Sequence, residues 1–241
     1  MLVISVRKDV KSDMDPFLAD SNYFTAEWEM FKADPERASA LLEAAQTIRV
    51  ERVLDIGCGA GQEMLPFVAA GARGVGIDLT PAAGVTGRAM FEREKLSEKV
   101  NFLVASGTKL PFSDSTFDVL ICRVALMYMD NKAALAEMSR ILRPRSILVL
   151  KYHGPAYYCR KFLDGLRNGY FMSAIHASRV LCTGFVYQLT GRQFFGRLTA
   201  AGEIFQTRRT LRRELATVGL RLLAEMPDSN IQTPSFVITK E

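Results

Sequence analysis

The sequence predicts an α/β protein built on a seven-stranded, mostly parallel sheet with helices on both faces. A helical cap precedes the sheet, and a helical insertion follows its fifth strand. Three observations carry this reading. The apolar run Val53-Leu54-Asp55-Ile56 ends in glycines at alternate positions, Gly57, Gly59 and Gly61, which is a strand running into a tight turn with bare backbone. A second short apolar run, Gly74 to Ile77, ends in Asp78, 23 residues after Asp55. Beyond it, apolar runs alternate with segments of helical periodicity, as parallel βαβ units require.

Taken in order, residues 1–22 are polar and mixed, with Asp15-Pro16 as a turn signal, and read as an arm. From Tyr23 to about Gln46 the spacing predicts a helical cap, with Leu41, Leu42 and Ala45 on a buried stripe. Strand 1 spans Arg52 to Ile56, and a helix from about Gln62 to Ala70 ends before Gly71, where a left-handed residue is favoured. Strand 2 ends at Asp78. Thr80-Pro81 then reads as an N-cap followed by proline at the first helical position, and Gly84 and Gly87 weaken that helix.

Strand 3 is expected over Val100–Ala105 and strand 4 over Phe117–Cys122. Asn131 is read as the cap of a helix bearing Ala134, Leu135, Met138, Ile141 and Leu142, which Pro144 stops, and strand 5 as Ser146–Tyr152. The core resumes with a helix over Thr207–Val218, strand 6 over Arg221–Met226 and strand 7 over Ser235–Thr239. The chain thus reads as one domain: arm and cap (1–50), ligand-binding core (51–153), insertion (154–206), and C-terminal helix and hairpin (207–241).

The glycine turn selects its ligand by charge. Dinucleotide sites use G-x-G-x-x-G to place amides on a pyrophosphate. Here the spacing is G-x-G-x-G with Asp55 two residues ahead, and a carboxylate there repels a phosphate. It suits a cationic amine, such as the methionyl end of S-adenosylmethionine (SAM). Asp78, at the end of strand 2, is placed to take both ribose hydroxyls.

Asp55-x-Gly57-x-Gly59-x-Gly61 with Asp78 resembles the first motif and ribose acid of the class I SAM-dependent methyltransferases, whose fold is Rossmann-like. Leu110-Pro-Phe-x-Asp114-x-x-Phe117-Asp118 is similar to another segment of that family. The resemblance implies that SAM is bound by Asp55, Gly57, Cys58, Gly59, Gly61, Asp78 and Leu79, and by Arg123 in the segment after strand 4. Relatives often carry an acid after strand 3 for the adenine amino group. This chain has Ser106 and Gly107 there, so a serine hydroxyl or a backbone carbonyl takes its place as the adenine wall. Tyr23 and Phe24 of the cap are expected either to line the SAM pocket or to pack on the sheet.

Composition bounds the rest. The chain has 241 residues, of which 49% are hydrophobic and 24% charged, an ordinary globular balance. Its first six residues are too short for a secretory apolar region. The most apolar later stretch, Met172–Thr190, is interrupted by His176, Arg179 and Gln188, which argues against a membrane span. Four cysteines without C-x-x-C pairing or ligand-spaced histidines argue against zinc and against a disulfide scaffold, and fit a reducing cytoplasm. Asp130-Asn131 is weakly similar to metal ligands of catechol-type enzymes, but a helix cap explains it and no metal is expected.

The net charge of +5 is uneven: residues 140–213 hold fourteen Lys or Arg against Asp164 and Glu203. The insertion interleaves Tyr157, Tyr158, Phe162, Tyr170 and Phe171 with Arg160, Lys161, Arg167, Arg179, Arg192 and Arg197. Three readings are open for it. It is a lid selecting an anionic or aromatic small molecule, a nucleic-acid surface, or an amphipathic patch reaching lipid.

Methyl transfer to a small molecule is the expected function. An RNA methyltransferase using the basic insertion and a SAM-binding module without catalysis are the alternatives. No Asn/Asp-Pro-Pro-aromatic segment or Pro-Cys nucleophile marks a DNA or pyrimidine C5 enzyme. Because methyl transfer rests mainly on alignment, a general base is optional. His153, directly after strand 5, and Tyr128, on the neighbouring loop, are the candidates for that role. The alternative for His153 is a strand-end histidine bonded to backbone.

Overall fold

The computed structural model describes residues 16–196, 199, 202–226 and 233–241, with side chains described from residue 20 onward. Its sheet has the order β3-β2-β1-β4-β5-β7-β6. The strands are β1 (Arg52–Ile56), β2 (Arg73–Asp78), β3 (Val100–Val104), β4 (Phe117–Arg123), β5 (Leu142–Lys151), β6 (Leu220–Met226) and β7 (Ser235–Lys240). The first five pair in parallel, whereas β7 runs antiparallel to both β5 and β6. The order reverses between β1 and β4, and in open α/β sheets that switch point is where ligands bind, outside the carboxyl ends of the strands.

Strand alternation divides the interior into two cores. Leu54, Leu120, Leu148 and Leu150 face α5 (Asn131–Ile141) and α8 (Arg208–Thr217) through Leu135, Met138, Leu211 and Leu215. Val53, Val119, Ile147 and Val149 face the other way. There they meet the cap helices α1 (Pro16–Lys32) and α2 (Pro35–Ala44), and α3 (Leu65–Ala69) and α4 (Pro81–Arg93), through Trp28, Leu41, Phe67 and Phe91. Near-continuous burial of β4 is the mark of a strand covered on both faces.

The elements depart from expectation where side chains, not periodicity, set the ends. The cap helix begins at Pro16 rather than Tyr23 and breaks at Ala33-Asp34, because Asp34 caps α2 by accepting from the Arg37 amide. The rest of the expected arm, residues 1–15, lies outside the described residues. After the glycine turn the chain forms a short 3₁₀ turn, Gln62–Met64, before α3, so that Pro66 falls in the first turn, where its missing N–H is tolerated. Thr80 stands at the N-cap, yet its side chain makes no capping bond.

Asn131 is not the cap of α5. Asp130 is, accepting from the Ala133 amide at 3.0 Å, while Asn131 is fully buried as the first helical residue. Nor does Pro144 stop that helix: α5 ends at Ile141, and Pro144 lies inside β5. The register there jumps from Phe117↔Leu142 to Val119↔Ile147, a bulged stretch in which proline's lost donor goes unmissed. Gly87 in α4 serves close approach, since a Cβ there would lie 2.4 Å from the Phe102 ring and 2.8 Å from the Ala60 carbonyl. The Leu110–Asp114 segment is tied to α5 by Arg140, which donates to the Phe112 carbonyl at 2.7 Å and pairs with Asp114 and Glu137.

The insertion is two packed helices, α6 (Pro155–Arg167) and α7 (Phe171–Thr190), and an extended return, of which Arg197 is not among the described residues. Among the described residues no helix is long and apolar enough to cross a membrane.

Candidate functional site

At the carboxyl edge of β1 the turn residues Gly57, Gly59 and Gly61 have φ of +70°, +52° and +76°, a region that side chains other than glycine's rarely adopt. The Gly57 and Cys58 amides both donate to the Ile77 carbonyl, at 2.8 and 3.0 Å, which holds the turn over the end of β2. Space is scarce as well, for a Cβ on Gly57 would lie 2.4 Å from that of Ala125. Asp78 is fixed by two amides, Gly59 to Oδ2 at 3.1 Å and Thr80 to Oδ1 at 2.9 Å. This leaves further lone pairs on both oxygens for a ligand.

Above this turn opens a cavity of about 580 Å³. Its floor is Asp55, Gly57, Cys58 and Gly59, with Asp78, Leu79 and Gly107 on one side and Arg123, Val124 and Ala125 on the other. Tyr128 and Met129 reach it from the loop after β4, and Tyr23, Phe24 and Glu27 from α1. Val124 adopts φ +58°, an unfavourable conformation for a β-branched residue, and its amide donates to the Lys151 carbonyl at 2.9 Å. Strain of this kind concentrates where a structure over-determines a functional loop.

Charge is arranged in pairs at the inner end. Asp55 is 2% exposed, and its Oδ2 has no hydrogen-bond partner. Burial, together with the charge of Asp78, pushes its pKa up to about 7, against the opposing pull of Arg123 and Arg37. Glu63 Oε1 takes two guanidinium groups, Arg37 and, at 3.0 Å, Arg123. Glu63 Oε2 and the buried Gln62 Oε1 also make no hydrogen bond. Three unsatisfied buried acceptors on one cavity wall call for a ligand that carries donors, ideally a cationic one.

Most of the residues predicted for the site converge here: Asp55, Gly57, Cys58, Gly59, Asp78, Leu79, Gly107, Arg123 and Tyr128 all line the cavity. Tyr23 and Phe24 line it too, so the cap contributes to the wall as well as to packing. Gly61 acts from behind, as the left-handed residue opening the 3₁₀ turn. Ser106 is turned away into a bond with the Thr108 hydroxyl at 2.8 Å and is not on the wall.

His153 is placed differently from expectation. It lies off the cavity wall, 9% exposed, with its ring stacked on Tyr157 at 3.8 Å and its Nδ1 3.4 Å from the Tyr158 hydroxyl. Burial, with Lys161 and Lys151 nearby, pulls its pKa down to about 4, so the imidazole is neutral and only weakly basic at pH 7. The Tyr158 hydroxyl donates to Glu203 Oε1 at 2.6 Å, and Glu203 Oε2 lies 3.0 Å from His176 Nε2. Tyr128 sits at the outer end of the cavity, where burial and the charge of Glu203 hold its phenol well above the usual value, fully protonated.

Sequence reasoning missed Arg37, Gln62, Glu63 and Lys151. Gln62 and Glu63 follow the glycine turn directly, a position from which both were legible as wall residues. Arg37 carried no signal, because it reaches the site only through the packing of the cap. Among the described residues no group of His, Cys, Asp and Glu could hold a metal ion.

Comparison with known proteins bears on the domain and the fold. Residues 54–150 match the family model described as a methyltransferase domain. The chain is 32% identical over 136 residues to the uncharacterized methyltransferase YcgJ of Bacillus subtilis, covering 54% of this chain and 53% of that protein. It is 30% identical over 130 residues to the O-methyltransferase rstn1 of Aspergillus nomiae, covering 48% and 58%. The chain therefore spans about half the length of the curated relatives it matches. The crystal structure of YcgJ superposes with a TM-score of 0.56 at 18% identity, covering 84% of this chain and 99% of that one. Geranyl diphosphate C-methyltransferase of Streptomyces coelicolor, solved with Mg²⁺, geranyl diphosphate and S-adenosyl-L-homocysteine, gives 0.58 at 15%, covering 85% and 78%. At such identities the superpositions show a common fold.

Proposed function

We propose, for a chain whose residues 54–150 match a methyltransferase domain, that it is a class I SAM-dependent methyltransferase that transfers a methyl group from SAM to a small-molecule acceptor. The observation that carries the reading is the unpartnered, fully buried Oδ2 of Asp55 beside the bare backbone of Gly57 and Gly59. An α-ammonium satisfies that oxygen, and the neighbouring Arg37–Glu63–Arg123 cluster presents cations to the carboxylate on the same carbon. Asp78 takes the ribose hydroxyls, while Cys58, Leu79 and Gly107 flank the adenine, with Gly107 in place of the side chain that Ser106 withholds.

SAM supplies an activated methyl on a sulfonium. What remains for the protein is to align an acceptor with it and keep water out. Tyr128, protonated at the open end of the cavity, donates a hydrogen bond to the acceptor and orients it. His153, neutral and stacked beneath Tyr157, supports the tyrosines at that end. The reaction then proceeds by alignment, and an acceptor heteroatom loses its proton to solvent.

The insertion forms the acceptor side of the site. Its extended return segment is anchored by Gln193, whose Nε2 donates to the Met129 carbonyl at 2.7 Å and whose Oε1 accepts from the Asn131 amide at 3.0 Å. The test is methyl transfer from radiolabelled SAM into fractionated small-molecule extracts. Label retained in a small-molecule fraction supports the reading. Label in an RNase-sensitive fraction, or SAM binding with no transfer to any fraction, overturns it.

A further inference from the structure

The helix α7 has two apolar faces, and only one is used. Ala174, Ala177, Val180, Gly184 and Tyr187 are buried at spacings of three and four. On that side Gly165 of α6 admits the α7 backbone, since a Cβ there would lie 2.9 Å from the Ala174 amide nitrogen, and Gly184 seats the Phe205 ring. On the opposite side Phe171, Met172, Ile175, Phe185, Val186 and Leu189 are all exposed, Met172 at 76% and Leu189 at 70%. They form two clusters on one face of the 20-residue helix, Phe171, Met172 and Ile175 at its start and Phe185, Val186 and Leu189 at its end, with Ser178, Arg179 and Cys182 between them, together a stripe about 30 Å long. Leu163 and Leu166 of α6 and Tyr170 at the hairpin tip extend it. Isolated exposed apolar residues need no explanation, but two apolar clusters aligned on one helix face over this length mark a contact surface.

Charge identifies what the surface meets. Residues 155–192 contain Arg160, Lys161, Arg167, Arg179 and Arg192 against the single acid Asp164. We infer that the outer face of the α6–α7 hairpin docks in the plane of an anionic lipid bilayer, its apolar stripe entering the acyl boundary and its arginines meeting the headgroups. A second copy of the chain is disfavoured, because a two-fold interface would set this cationic face against itself. Nucleic acid is disfavoured because the stripe is largely aliphatic: Met172, Ile175, Val186 and Leu189 offer bases no stacking partner, and its aromatics, Tyr170 and Phe171 at one end and Phe185 near the other, do not form the continuous stacking row that a single strand needs. No part of the argument uses methyl transfer, so it stands or falls apart from the proposed reaction.

The experiment is co-sedimentation of the full chain with phosphatidylcholine vesicles, with and without about one-third phosphatidylglycerol. Binding is expected to the anionic vesicles and not to the neutral ones. The double variant Met172→Glu/Leu189→Glu is expected to bind at least about tenfold more weakly. Unchanged far-ultraviolet circular dichroism and SAM affinity serve as the folding control. The milder pair Met172→Gln/Leu189→Gln replaces it if the charged pair does not fold. No sedimentation with anionic vesicles overturns the inference, as does binding that these variants leave undiminished. So does a dimer in solution that the same variants dissociate, since the face is then covered by a second copy.

Discussion

The backbone amide of Gly59 donates to Asp78 Oδ2 at 3.1 Å, so the first turn of the sheet and the acid ending its second strand are locked together before any ligand arrives. Preorganisation of this kind lowers the cost of binding, because the carboxylate need not be ordered by the ligand. Asp78→Ala removes both the ribose acceptor and this tie. SAM affinity is expected to fall by about 3 kcal/mol or more, two hydrogen bonds to a charged group, and calorimetry giving the parent affinity would exclude Asp78 from the site.

Asp55 titrates near neutrality in the free protein, with its pKa pushed up to about 7. A raised acid pKa stabilises the folded state fully below the unfolded value, and that contribution is lost as pH rises through 7. An ammonium placed against Oδ2 reverses the effect by drawing the proton off. SAM binding at about pH 6 should therefore release most of a proton per site, and affinity should fall as pH drops below about 7. Calorimetry in buffers of differing ionisation enthalpy measures the release. Asp55→Asn should abolish it, and an equal release from that variant would place the proton elsewhere.

Two glycines with the same φ of +70° separate backbone strain from crowding. Gly57 faces Ala125 at 2.4 Å, whereas nothing lies within 4 Å of a Cβ on Gly219. Gly219→Ala should cost about 1 kcal/mol from conformation alone. Gly57→Ala should cost about 1–3 kcal/mol more, through displacement of the Ala125 loop, and should weaken SAM binding. Equal urea midpoints for the two variants would show that the loop yields freely.

His153 has the opposite linkage to Asp55. Its folded pKa, about 4, lies below the ordinary histidine value, so the unfolded chain takes up a proton first as pH falls. The His153 contribution to stability should be at its plateau above about pH 6.5 and decline by no more than about 3 kcal/mol between there and pH 4, opposing the Asp55 contribution, which grows over the same range. His153→Gln should remove that decline and leave the Asp55 contribution exposed, so that the variant gains stability relative to the parent as pH falls. The same variant should leave the pH dependence of turnover near neutrality unchanged. A lost inflection near pH 6.5 would instead make His153 the base.

Hydrogen exchange tests the acceptor-side role of the insertion. SAM with acceptor should increase protection at the Met129–Asn131 loop and at Gln193, which are bonded to each other. Equal exchange in the free and loaded protein would separate the insertion from the site.

The sheet and the heart of the site were legible because their signals are local. A short apolar run bounded by turn residues marks a strand buried on both faces, alternate glycines mark a turn that must leave the right-handed region, and an acid at a strand's carboxyl end points outward from the sheet edge in any parallel arrangement. The same locality explains the misplaced ends. Asp130 and Asn131 are both good caps, and only the geometry of the turn decided that Asp130 bonds the helix while Asn131 enters the core.

Tertiary packing decided the rest, since a side chain's environment depends on elements distant in sequence. Glu63 holds Arg37 and Arg123 together although 60 residues separate Glu63 from Arg123. His153, at the end of a parallel strand, looked poised for proton transfer. The ring of Tyr157 covers it and the two nearby lysines discourage its charge. The residue types and spacing of the glycine turn thus pointed on their own to a ligand with a cationic amine rather than a phosphate. The state of each ionisable group beside it was decided only by what the fold packs against it, because desolvation and nearby charge, not residue type, set a buried group's pKa.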